Sequence, residues 1–171
     1  MTQAATTIPG ATRELADFAV SASFDAMPQM VRDRMKQCFL DFIGNSAFAA
    51  LEAESSAPFR AGVQALAPTG GEGTVVGESR RYPYPYAALL NGAYAHTLDF
   101  DDTSVYGALH PGVVVVPAAL AEAERTNASG RDFVAALAVG FEIACRVGAA
   151  IGQTVYDRGF HNTSVAGIFG A

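Results

Sequence analysis

The chain has 171 residues, 50% of them hydrophobic and 16% charged, with a mean hydropathy of +0.20. That length suits one domain or a large piece of one, and the composition excludes disorder, which needs low hydrophobicity and high net charge. Seventeen acids against eleven bases, net −6, argue against a nucleic-acid partner.

The sequence has no run of about 18 apolar residues, so neither a membrane span nor a membrane partner is expected. Met1 to Gly10 lacks the basic and apolar regions of a secretion signal, which predicts a cytoplasmic protein with a flexible stretch over 1–10. Residues 11–171 then form the helical part. Leu15, Phe18, Ala19 and Ala22 recur at helical spacing behind a Thr12 cap. A second helix starts at Pro28, with Met30, Val31, Met35, Cys38, Phe39, Phe42 and Ile43 on its inner side. A shorter helix over Ala57–Ala67 ends at Pro68 and the Gly70–Gly71 pair. Thr74–Val75–Val76–Gly77 reads as the one short β element. Tyr82–Pro83–Tyr84–Pro85–Tyr86 is a stiff lead into a helix through Leu89, Leu90, Ala93 and His96. Val114–Thr126 is predicted helical and closed by Asn127 and Gly130; a further helix from Asp132 carries Phe133, Leu137, Phe141, Ala144, Cys145 and Gly148. Thr163 to Ala171 reads as a cap and the first turns of a small-residue helix. The fold class is mostly α.

Cys38 and Cys145 sit within apolar helical patterns, so buried thiols are expected rather than a disulfide. Few charges beside 33 alanines leave little to cover a monomer's surface, so a homo-oligomer or a second chain carrying more of the fold is expected.

The densest polar cluster is His96-Thr97-Leu98-Asp99-Phe100-Asp101-Asp102-Thr103, followed by His110-Pro111-Gly112. If a helix ran through it, His96, Asp99 and Thr103 would share a face. Three carboxylates in four positions repel, so they need a helix N-terminus, an Arg, a metal or a ligand beside them. The bland alternative is a solvated helix end and a capped turn, in which Asp101 and Asp102 accept backbone or Arg hydrogen bonds. A Mg²⁺–diphosphate site is disfavoured, because there is one acidic cluster and no flanking basic set. The three histidines, His96, His110 and His161, are the groups suited to proton transfer near neutrality. His110 and His161 both fall at loop-to-helix junctions, and Ser164 lacks the setting of a hydrolase nucleophile.

Asn91 to Thr103, His110-Pro111-Gly112, Val116 to Ala121, Gly140-Phe141-Glu142-Ile143 with Arg146-Val147-Gly148, and Phe160 to Ala171 together resemble the MmgE/PrpD family. That family includes 2-methylcitrate dehydratase, cis-aconitate decarboxylase and iminodisuccinate epimerase. The resemblance runs from about Leu15 onward and implies the first part of a helical-bundle domain, without the family's α+β lid. It implies lyase chemistry by proton transfer on a small di- or tricarboxylic acid, with epimerisation as an alternative and no cofactor or metal. Asp99, Thr103, His110 and His161 match active-site positions of the decarboxylase branch. By that resemblance His110 is the proton donor or acceptor and Asp99 tunes a histidine, while Thr103 and His161 bind substrate carboxylates. The interval from Thr103 to His110 is one residue longer here. The family's substrate-binding lysines have no counterpart, since Lys36 is the sole lysine. The chain is thus expected to be part of a split or larger enzyme, or else a non-catalytic helical oligomerisation fragment. His110, His161 and Asp99 are expected to lie together.

Overall fold

The computed structural model describes residues 10–171, so the expected flexible stretch 1–10 falls, Gly10 apart, outside the described residues. Six main helices follow in order: α1 (Ala11–Ser21), α2 (Gln29–Glu52), α3 (Ser56–Leu66), α4 (Tyr84–His96), α5 (Gly112–Thr126) and α6 (Gly130–Ile151). Two short ones, α7 (Thr154–Asp157) and α8 (Asn162–Ala166), lead into a 3-10 turn over Gly167–Phe169. The helix boundaries have local causes. Pro28 precedes α2 and Pro85 sits in the first turn of α4, where a missing N–H costs nothing. Asn127 closes α5 in the left-handed conformation (φ 51°). Ser129 caps α6 by accepting from the Asp132 N–H at 3.2 Å.

Two apolar clusters form the core, and α2 runs through both. Its first half sets Met35 and Phe42 among Val113, Val115 and Val116 of α5 and Leu137, Phe141 and Ala144 of α6. Its second half sets Ala49 and Ala50 among Val63, Val75, Tyr82, Leu90 and Tyr94. Leu90 and Leu137 are fully buried, each contributing about 1.5–3 kcal/mol of transfer free energy. Met30, expected inside, is largely exposed, and α1 buries no residue fully. The segment after α1 is tied down instead by Phe24, whose ring is contacted by the guanidinium groups of Arg32, at 4.9 Å, and Arg131, at 4.4 Å.

Gly92 brings α4 against α5 at an unusual point. Pro117 has no N–H to give the Val113 carbonyl, and a Cβ at Gly92 would come 3.0 Å from that carbonyl oxygen. α6 departs from expectation in another way: it is long and apolar enough by length and composition to cross a membrane. Here it is a core helix, burying Leu137, Gly140, Phe141, Ala144 and Gly148.

No strand forms among the described residues; only the isolated bridges Gly73–Tyr82 and Ser104–Leu109 appear. The Thr74–Gly77 segment is no strand: Val76–Gly77 turn, with the Glu78 N–H donating to the Val75 carbonyl at 3.1 Å, and side chains meet other backbone groups. Asn91 of α4 accepts from the Val76 N–H at 2.9 Å and donates to the Thr74 carbonyl at 2.8 Å. Glu124 of α5 accepts from the Thr74 N–H at 2.8 Å. These hydrogen bonds form without a sheet.

Asn91 is buried and holds both backbone groups at once. Asn91→Ala is therefore expected to lower stability by about 1–3 kcal/mol, the cost of leaving buried backbone groups unpaired. Urea unfolding followed by circular dichroism measures this. A change within about 0.5 kcal/mol would show that the segment is held by something else.

Candidate active site

The site forms where α4 ends, α5 begins and α8 begins. α4 stops at His96, and the chain turns through Asp99, which takes a left-handed conformation (φ 51°) that Asp tolerates better than most residues. The helix thus does not run on through Thr103, and the face expected to unite His96, Asp99 and Thr103 does not exist. A tight loop follows, closed by Ser104 and Leu109 in mutual backbone hydrogen bonds at 2.8 and 3.3 Å. The residue before each of the first two histidines is a buried apolar anchor, Ala95 for His96 and Leu109 for His110.

Three contacts, besides one from Tyr156, seat this loop. The first is a close backbone approach to α6: a Cβ at Gly148 would overlap the Gly107 carbonyl and the Leu109 side chain. In the second, the buried Asn162 at the start of α8 donates from Nδ2 to the Gly107 carbonyl at 3.2 Å. Thr163 accepts from the His110 N–H at 3.0 Å, completing the set. Thr163 and Asn162 carry no catalytic pattern in the sequence, yet they set His161 beside His110.

The three imidazoles converge. Ring centroids are 4.9 Å apart for His96 and His110, and 6.3 Å for His161 with each of them. Tyr156 packs edge-on against His161 at 5.4 Å while donating its hydroxyl to the Ala108 carbonyl. Asp99 is mostly exposed, and its Oδ1 lies 3.8 Å from His110 Nε2. So the structure brings His110, His161 and Asp99 together. Thr103 is present at the edge, with Oγ1 3.4 Å from His110 Nδ1.

The two remaining carboxylates depart from expectation. Asp101, whose side chain is 2% exposed, accepts neither an Arg nor a backbone hydrogen bond. It lies against His96 Nδ1 at 3.1 and 3.2 Å and against His110 Nδ1 at 3.1 Å. Asp101, not Asp99, is thus the carboxylate on the Nδ1 edge of His110. Asp101 was legible only as a member of a dense cluster, and His96 only as one of three histidines able to transfer protons, without its partner. Asp102 does act as a cap: its Oδ1 accepts from the Gly112 N–H at 3.0 Å, at the positive end of α5. A Cβ at Gly112 would overlap that carboxylate, so the position requires glycine. Burial pushes the Asp102 carboxyl up to about 6, against the pull of the Gly112 N–H, with Asp101 and Asp41 adding repulsion.

His96, Asp99, Asp101 and His110 each offer one ligand atom, all within 4.8 Å of one another. Zinc at its usual bond lengths sets neighbouring tetrahedral ligands only roughly 3.3 Å apart. A cation would also have to replace the contacts between Asp101 and both imidazoles. The arrangement fits acid–base work as it stands.

Comparison with known proteins gives a family match and several relatives. The model of the MmgE/PrpD N-terminal domain matches residues 13–171. The chain is 39% identical over 102 residues to a cis-aconitate decarboxylase-like protein of Aspergillus oryzae, covering 55% of this chain and 21% of that one. It is 29% identical over 164 residues to the cis-aconitate decarboxylase of Aspergillus terreus, covering 92% and 33%. To the human cis-aconitate decarboxylase it is 40% identical over 97 residues, covering 53% and 20%. The chain therefore spans a third or less of the length of these relatives.

The Asp102 clamp generates a pH prediction. Its folded-state pKa lies above the ordinary carboxylate value of 3.8, so the folded state holds this proton more tightly than the unfolded chain does. Its contribution is therefore lost as pH rises from about 4 through about 6. Asp102→Asn, which keeps an acceptor for Gly112, should unfold at higher temperature above pH 6, by up to ~3 kcal/mol, and match the parent near pH 4. Gly112→Ala should destabilise at every pH. Thermal unfolding across pH 4–8 reads both, and a pH-independent Asp102→Asn difference would contradict the assignment.

Proposed function

This chain belongs to the MmgE/PrpD family, and from that premise we propose that its histidine cluster carries out lyase-type proton transfer on a small di- or tricarboxylic acid. The observation that supports this most is His110, with its Nδ1 edge on buried Asp101 and its Nε2 edge turned toward Asp99 and the solvent side. An imidazole held at one nitrogen by a carboxylate is oriented to take or give a proton at the other. In a decarboxylation the bond to the departing carboxylate carbon breaks, CO₂ leaves, and the electron pair stays on the remaining carbon. His110 Nε2 then delivers the proton to that carbon. In a dehydration the same nitrogen removes a proton as hydroxide departs. Thr103 binds a substrate carboxylate through its hydroxyl, and His161 pairs with a second one when protonated. Asp99 stands across from His110 Nε2, its Oδ1 3.8 Å away. No step needs a metal. Decarboxylation is the first reading because the relatives are named for it, and epimerisation uses the same groups if the proton returns to the opposite face.

The chain is proposed to work within a larger assembly. Leu40, Phe48 and Leu51 of α2, Phe59 and Leu66 of α3, and Leu89 of α4 are exposed apolar residues, and such surface left in water costs about 25 cal/mol per Å². The chain has one lysine to offer a polycarboxylate, Lys36, which pairs with Asp33 on the outside of α2. A homo-oligomer would supply the cover, and a second chain carrying more of the family's sequence would supply both the cover and further substrate-binding cations. The two free thiols suit a reducing, cytoplasmic setting.

In an enzyme containing this domain, His110→Ala should lower kcat on its carboxylic-acid substrate by roughly 10²–10⁴-fold, the usual weight of a positioned acid or base. Cis-aconitate and 2-methylcitrate are the first acids to assay, by CO₂ release and by absorbance of the unsaturated product. Near parental turnover would remove His110 from the mechanism. Activity abolished by EDTA and restored by a divalent metal would replace the metal-free reading. For the 171-residue chain alone, light scattering after size-exclusion chromatography should show a folded, self-associated species rather than a monomer. An active monomer would overturn the assembly reading.

A further inference from the structure

We infer that Asp101 is a positioning residue shared by two histidines, and that through it His96 joins His110 as a second imidazole presenting Nε2 for proton exchange. The inference deepens the acid–base reading and takes its chemical meaning from it. Its basis is a convergence of three side chains from two sides of one loop. Asp101 is buried, and both its oxygens lie within 3.2 Å of His96 Nδ1, while Oδ2 is also 3.1 Å from His110 Nδ1. The rings are 4.9 Å apart and tilted by 58°, so they meet the carboxylate from different directions rather than stacking across it.

A buried carboxylate needs donors: His96 Nδ1 meets both oxygens in hydrogen-bond geometry, and His110 Nδ1, 3.1 Å from Oδ2 and 3.4 Å from Thr103 Oγ1, faces the same negative charge, where a ring N–H is favoured over a lone pair. Each neutral ring must then carry its proton on Nδ1, the less common arrangement for a free histidine. Nε2 of each ring is left as a bare acceptor, able to take a proton without breaking its bond to Asp101. The rings differ in surroundings. His110 Nε2 faces Asp99, whereas His96 borders a separate cleft of about 450 Å³ lined by Phe59, Gly92, Thr97, Val113, Thr163 and Ile168. His161 has no carboxylate partner and serves as an internal reference.

The test reads ring protonation directly and needs no turnover. In ¹⁵N-labelled full chain, long-range histidine ¹⁵N–¹H spectra above the titration range should show His96 and His110 protonated on Nδ1 and His161 on Nε2. Asp101→Asn presents one carbonyl oxygen and one NH₂, so at least one of His96 and His110 should move its proton to Nε2. A structural role alone would not change the tautomer. Finding either ring protonated on Nε2 in the parent chain overturns the inference, and that measurement stands even if the variant does not fold. Both rings unchanged in a folded Asp101→Asn would overturn it equally. If the tautomers are as stated but His110→Ala leaves turnover intact, the positioning holds and the acid–base reading fails.

Discussion

A carboxylate with 2% of its side chain exposed has to be surrounded by donors, and most of this site follows from meeting that demand at Asp101. His96, the last residue of α4, meets it with a hydrogen bond, and His110, two residues before α5, sets its Nδ1 3.1 Å from the same carboxylate. Linking them fixes how far apart the two helices end and what path the intervening loop takes. One residue on, Asp102 uses the same loop for a different purpose, accepting the first N–H of α5. Adjacent side chains thus point to opposite duties, one joining the imidazoles and the other holding the helix start. Gly112 is the steric condition of the second duty, since any Cβ there would displace the carboxylate.

The loop is as closely held from outside. Gly107 lies backbone to backbone on α6 at Gly148, and Asn162 and Thr163 bond it from α8. Residues distant in sequence therefore seat His110 and His161 side by side, on a scaffold whose two apolar clusters share α2. The site occupies the rim of the first cluster, where Ala95 and Leu109 anchor the backbone beside each histidine.

The helices were legible because apolar spacing, prolines and caps agree: α2 begins just after Pro28, α4 begins at Tyr84, and α5 ends at Asn127. The Thr74–Gly77 segment was read as β for a sound local reason, its β-branched residues, but hydrogen-bond partners are not a local property. Asn91 and Glu124 took the place of a neighbouring strand. The site was legible as an inventory of groups, and its pairing was not. Asp99 and Asp101 are equivalent by composition; only the left-handed turn at Asp99, which sends its side chain outward, shows which carboxylate faces His110 Nδ1. Asn162 and Thr163 carry polar side chains common at any helix start, so their hold on the loop depends on tertiary contact alone.

The two thiols give the supporting helices a particular chemical temperament. Burial pushes Cys38 on α2 up to about 11, and Cys145 on α6, whose carbonyl touches the Gly107 turn, is raised for the same reason. Peroxides, alkylating agents and disulfides attack thiolates, and at neutral pH only about one Cys38 in 10⁴ is ionised. Both thiols are therefore poorer nucleophiles than an exposed cysteine. Oxidants that react first with more acidic cysteines would reach the helices supporting this loop late.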